Sequence, residues 1–267
     1  MLTRIITAVV GLIVFIGVIM LGETALSVAI SAVTLFMMYE VFGAITKSKT
    51  VKVSGYISGV LLVVGIFFNQ FEIALAAMVI SAMVFLIFLH GKIEYREIFS
   101  VQFMALYIGL FMSYIPRIRS ELGLAAMALI FIIAWGSDTA AYFCGTFFGK
   151  HKLIPKVSPK KTIEGSVGAV IITAVLCVLY VFIMDRLSYP VMGEAASVGV
   201  CVKFGVIGFV TSALSQLGDL AASAIKRDAG IKDYGRIFPG HGGFMDRFDS
   251  VIFISPVVYY LCSFIIM

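Results

Sequence analysis

Long apolar runs, each closed by a short polar stretch, follow one another from end to end of the chain. A helix needs about 20 mainly apolar residues to cross about 30 Å of hydrocarbon, and by that measure the runs predict about nine membrane-spanning helices. They cover approximately 5–21, 25–45, 55–68, 73–89, 99–115, 122–148, 165–184, 198–225 and 251–267. The third is the weakest, and Asn69, Gln70 and Glu72 after it read as a tight turn, so spans three and four are predicted to form a hairpin. The expected fold class is an all-α polytopic integral membrane protein. Residues 1–121 form an N-terminal region of about five spans; residues 122–267 form a region of about four spans that carries the polar connections 149–164 and 226–250.

Composition removes the alternatives. With 61% hydrophobic and 13% charged residues, the chain carries about half the charge of a soluble domain and has no surface suited to water. Six prolines and four cysteines exclude collagenous and disulfide-stapled chains. Cys144, Cys177, Cys201 and Cys262 stand singly in apolar segments without a C-x-x-C pair, so they read as packing residues. The net charge of +5 is informative through its placement, because sixteen of the twenty Lys and Arg fall at the amino end and in the even-numbered connections. By the positive-inside rule the amino terminus and both long polar connections are cytoplasmic. The expectation is a multi-pass protein of the cell inner (plasma) membrane with a cytoplasm-facing active site. Arg4 followed by an apolar run resembles a signal peptide, but no small-residue cleavage site follows, and the segment reads as a retained span.

Ionisable groups inside apolar segments are functional candidates by default. Glu40 lies near the cytoplasmic end of its span and reads as an interfacial residue. Asp138 and Asp219 sit about 15 Å and about 10 Å from the cytoplasmic ends of theirs, away from bulk water. Gln216, Asp219, Ser223 and Lys226 fall at i, i+3, i+7 and i+10 and form one polar stripe; Trp135, Asp138 and Tyr142 do likewise on span six. Buried salt bridges, such as Asp219 with Lys226 or Arg227, are the alternative explanation of the stripe.

The chemistry concentrates in 238–249, FPGHGGFMDRFD. Glycines at 240, 242 and 243 let backbone N–H groups approach an anion, as in phosphate-cradling nests. If a helix starts near Phe244, Asp246 and Asp249 share a face, and with Asp219 they make an all-oxygen site suited to Mg²⁺, the number of cations being left open. Lys226, Arg227, Lys232 and Arg247 would neutralise phosphates. Such a set reads as a phosphoryl or nucleotidyl transfer site. No H-E-x-x-H, G-x-S-x-G or P-loop motif occurs. His241 is readable as a general base, a phosphate donor or a loop histidine bonded to backbone. Ser158, Lys160, Lys161 and Thr162 belong to a flexible basic segment that is either a topological anchor or a clamp for a nucleoside triphosphate. The pairs Gly55/Gly59 and Gly145/Gly149 read as helix packing faces.

Residues 223–249, SAIKRDAGIKDYGRIFPGHGGFMDRFD, resemble the signature of the phosphatidate cytidylyltransferase (CDP-diacylglycerol synthase) family: S-x-x-K-R, then K-D, then H-G-G-x-x-D-R-x-D at the family's spacing. WGSDTAAYFCG at 135–145 and KVSPKKTIEG at 156–165 are also similar to that family, whereas the first half of the chain matches only in being hydrophobic. The resemblance implies Mg²⁺-dependent reaction of CTP with phosphatidic acid of the bilayer. Under it, Asp219, Asp246 and Asp249 hold the metal and, with Lys226 and Arg247, form the catalytic set. Ser158, Lys160, Lys161, Ser223, Arg227, Lys232, Asp233, His241, Gly242, Gly243 and Asp138 contact substrates. No nucleic-acid partner is expected, and a homodimer is compatible with the sequence. The competing readings are a CTP-dependent lipid kinase and an ion-coupled secondary transporter.

Overall fold

The computed structural model describes residues 2–68, 70–238, 240 and 242–266, with backbone alone for 2–8, 265 and 266. The helices are α1 (Leu2–Met20), α2 (Glu23–Ile45), α3 (Lys49–Phe67), α4 (Phe71–Phe88), α5 (Tyr95–Glu121), α6 (Gly123–Phe148), α7 (Ile163–Arg186), α8 (Val198–Asp228) and α9 (Met245–Ile266). Among the described residues, eight of them, α2 to α9, are long and apolar enough to cross a membrane, and Val9–Met20 of α1 is a shorter apolar stretch. The chain is an all-α polytopic membrane protein, and among the described residues sheet is limited to one two-stranded hairpin.

Helix ends depart from the apolar runs where capping chemistry decides. Ser48 accepts the Val51 N–H at 3.4 Å, so α3 starts at Lys49, six residues before its apolar run. The last helix starts at Met245 rather than Val251 and takes Asp246 and Asp249 into its first turns. Residues 149–164, read as a flexible basic segment, are ordered: β1 (Lys152–Ile154) pairs antiparallel with β2 (Ser158–Thr162). Thr162 then caps α7 by accepting the Gly165 N–H at 3.1 Å.

The chain divides into two compact units. The first holds the residues up to Pro116 and Asp228–Arg247. Here α3 and α4 form the predicted hairpin, whose turn closes through Gln70 N–H to the Gly65 carbonyl at 2.6 Å. Side chains at Gly55 or Gly59 would run into Phe42, Val101 and Met38, so this pair is a packing face as expected. With lipid as apolar as the core, polar contacts add specificity between helices: Ser58 meets Ser81 at 3.1 Å and Gln102 donates to Ser54 at 3.3 Å.

The second unit holds Arg117–Arg227 and Phe248–Met267. Its α6 and α7 pack along their length. Gly208 brings α8 against Ala174 and Cys177 of α7, and Ser137 of α6 meets Ser212 of α8 at 2.8 Å. Gly218 lies against Phe253 and the Asp249 carbonyl, which fixes α9 on α8. The four cysteines are free thiols.

Candidate active site

In the second unit the site is built on α8. The predicted stripe forms: Gln216 donates to the Ser166 carbonyl at 3.2 Å, Ser223 donates to Asp219 Oδ1 at 3.4 Å, and Lys226 is buried one turn further. The partner of Asp219 is neither Lys226 nor Arg227. Lys161, reaching from β2, sets its ammonium against Asp219 Oδ2. Arg227 instead donates through Nε to the Val157 carbonyl at 3.3 Å, so two contacts tie the hairpin to α8. Its base is fastened by Glu164, which accepts the Lys150 N–H at 3.0 Å and the His151 N–H at 3.2 Å and lies 2.6 Å from His151 Nδ1.

Asp249 faces this stripe from α9. It is buried at 7% exposure, accepts the Ser250 N–H at 2.8 Å, and has the charges of Asp219, Asp138 and Lys226 within electrostatic reach. Asp138 lies with Trp135 and Tyr142 on a face of α6 that no other described part of the chain covers. Asp219, with its side chain 24% exposed, is likewise only partly enclosed.

In the first unit the glycine loop and the start of α9 are shaped by two carboxylates. Asp246 Oδ2 accepts the Tyr234 N–H at 2.8 Å and the Gly243 N–H at 3.0 Å. Glu40, expected at the interface, is buried at 5% exposure and accepts the N–H groups of Phe244 at 3.1 Å and Met245 at 2.9 Å. Phe238 N–H donates to the Gly242 carbonyl at 2.9 Å, reversing the chain where Gly240 and Gly242 have φ of 78° and 81°, a region open to glycine at little cost. Phe244 stacks on Phe36 and meets Phe238 edge-on.

Of the remaining predicted residues, Lys160, Lys232, Asp233 and Arg247 are exposed, Ser158 and Gly242 are partly buried, Gly243 is buried, and His241 lies outside the described residues. Two residues escaped the sequence reading of the site: Glu40, whose signal was an acid within an apolar run, and Glu164, whose signal was an acid directly after a basic segment.

Among the described residues no three Asp, Glu, His or Cys side chains form a ready-made metal cage. Asp219 and Asp249 nonetheless offer hard oxygen donors, and the Lys161 ammonium already places a positive charge on Asp219. That donor set fits Mg²⁺, which is usually held by one or two carboxylates together with substrate phosphates and water.

Residues 2–265 match the profile of the cytidylyltransferase family. The chain is 32% identical over 273 residues, 97% of each chain, to the phosphatidate cytidylyltransferase of Bacillus subtilis (strain 168). It is 32% identical over 266 residues to that of Staphylococcus aureus (strain COL) and 29% identical over 266 residues to that of Staphylococcus haemolyticus (strain JCSC1435), again across 97% of both chains.

Proposed function

The chain belongs to the cytidylyltransferase family, and we propose that it transfers the cytidylyl group of CTP to phosphatidic acid, giving CDP-diacylglycerol and pyrophosphate. The observation that carries this reading is the arrangement around α8: two acidic side chains, Asp219 of α8 and Asp249 of α9, framed by Lys161 of β2 and Lys226 of α8 in a membrane-crossing helix bundle. Carboxylates alternating with ammonium groups suit a polyphosphate and its counter-cation, and the bundle suits a substrate that cannot leave the bilayer.

A phosphate oxygen of the lipid attacks the α-phosphorus of CTP. A new P–O bond forms as the bond from the α-phosphorus to the bridging oxygen of the β-phosphate breaks, and pyrophosphate leaves. The nucleophile is already an anion, so no strong general base is needed and catalysis is positioning and charge neutralisation. Mg²⁺, which we assign to Asp219, Asp246 and Asp249, would offset the charge that develops on the leaving pyrophosphate. Lys161 and Lys160 on β2 meet the triphosphate, and Lys226, Arg227, Lys232 and Arg247 hold phosphate oxygens. The N–H groups of Gly243, Phe244 and Met245 are bonded to the carboxylates of Asp246 and Glu40, so the glycine loop shapes the start of α9 instead of cradling a phosphate through those groups. The exposed Asp138 face of α6 borders the approach of the lipid headgroup. We place this chemistry on the cytoplasmic face of the inner membrane, where the basic connections lie and CTP is supplied.

The test is pyrophosphate release by the purified protein in detergent micelles. Release should require CTP, phosphatidic acid and Mg²⁺ together and match CDP-diacylglycerol formed mole for mole. Pyrophosphate released from CTP without the lipid would contradict the reading.

A further inference from the structure

Glu40 lies on α2, 204 residues before Phe244 in the chain, and nothing in the reaction scheme above uses it. It is buried at 5% exposure, and among the described residues no Lys or Arg pairs with it. A buried carboxylate without a cation is costly unless hydrogen bonds hold it. Glu40 finds them in two backbone donors: Oε1 accepts from Phe244 at 3.1 Å and Oε2 from Met245 at 2.9 Å. Met245 opens α9, so these are N–H groups at the start of a helix, which lack partners within it and which a negative charge favours.

Two glycines complete the fit. A Cβ at either Gly235 or Gly243 would collide with the Glu40 carboxylate, so the loop closes on that group from both sides. The loop is thereby pinned by two acids: Glu40 takes the N–H groups of residues 244 and 245, and Asp246 takes those of residues 234 and 243. An apolar side chain would fill the volume at lower cost, so the directional bonds are the reason for the charge.

We propose that Glu40 is a positioning residue for cytidylyl transfer, fixing the backbone of residues 242–246 that leads into the first turn of α9, where Arg247 is assigned to a substrate phosphate. It touches neither substrate nor metal and acts through the backbone it binds. The assignment deepens the reaction proposed above and rests on it, whereas the loop-holding part is measurable on the unliganded protein alone.

The experiment is amide hydrogen exchange of the full chain in detergent, without substrates, for the wild type, Glu40→Gln and Glu40→Ala, followed by kinetics on the same samples. Glu40→Ala should speed exchange across 242–246 roughly tenfold or more, as expected for loss of bonds to a charged group. Exchange in α3 and α4 should stay unchanged. Glu40→Gln keeps one acceptor and should fall between the two; it is the variant to read if Glu40→Ala does not fold. In kinetics kcat should fall at least tenfold in Glu40→Ala, with partial recovery in Glu40→Gln and little change in KM for phosphatidic acid. Unchanged exchange at 242–246 in the folded variants overturns the proposal, and so does faster exchange spread evenly over the bundle. Faster loop exchange with wild-type kcat overturns the catalytic part. If the wild type itself makes no CDP-diacylglycerol while Glu40→Ala still frees the loop, the reaction reading fails and the loop-holding stands.

Discussion

Lys161, on the second strand of the β-hairpin, sets its ammonium against the carboxylate of Asp219 on α8. Both side chains are partly buried, at 19% and 24% exposure, so solvent screens the pair less than an exposed one. The contact anchors the hairpin over the stripe and places on Asp219 the kind of charge that a metal or a phosphate-bound cation would bring.

Removing that ammonium while keeping its stem should weaken nucleotide binding. Lys161→Met is expected to raise KM for CTP about tenfold or more, the scale of one charge-assisted contact to phosphate. Steady-state kinetics with CTP varied at saturating lipid checks this, and an unchanged KM would remove Lys161 from the nucleotide site.

Asp249 is buried among charges that include two other carboxylates, Asp138 and Asp219. Neutralising it relieves repulsion between like charges. Asp249→Asn should therefore keep or raise the melting temperature in detergent while lowering activity about 100-fold or more, a stability gain made at the cost of function. Asp219→Asn should lose activity on the same scale and remain folded. Near-normal turnover of either variant at saturating Mg²⁺ would contradict their assignment to the metal.

The same cluster shows how far the sequence could be read. Spacing alone placed Gln216, Asp219, Ser223 and Lys226 on one face of a helix, and glycine pairs marked where helices approach, because both follow from the fixed pitch of an α-helix. The partner of Asp219 was not legible: Lys226, two turns along the same helix, sits about 10 Å away by helical rise, and the cation that reaches Asp219 comes from a separate connection. The hairpin itself was hidden because Lys152–Ile154 and Ser158–Thr162 are too short and too basic to display strand alternation. Glu40 was read as interfacial because its donors, Phe244 and Met245, are brought to it only by tertiary folding.

Gly218 offers a geometric test of how α8 and α9 carry the two carboxylates. A Cβ there would stand 2.5 Å from Phe253 Cβ and 2.9 Å from the Asp249 carbonyl, closer than side chains tolerate. Gly218→Ala should destabilise the protein by about 1–3 kcal/mol and depress kcat by displacing Asp249. Gly43→Ala, with nothing within 4 Å of the added carbon, should leave both unchanged; comparing melting curves and kcat of the two variants is the check.

Glu164 holds the base of the hairpin through the backbone of Lys150 and His151. Glu164→Ala should loosen residues 150–162, seen as faster proteolytic cleavage there, and should raise KM for CTP more than it lowers kcat. Equal cleavage of the variant and the wild type would show that the hairpin is held without it.

The central claim is that the bond broken lies between the α- and β-phosphates of CTP and that the lipid phosphate takes the α-phosphorus. Incubating the purified protein with phosphatidic acid, Mg²⁺ and CTP labelled at either the α- or the γ-phosphorus tests this directly. The α-label should appear in the lipid product and the γ-label in free pyrophosphate. Transfer of the γ-label to lipid would contradict the account and identify a kinase.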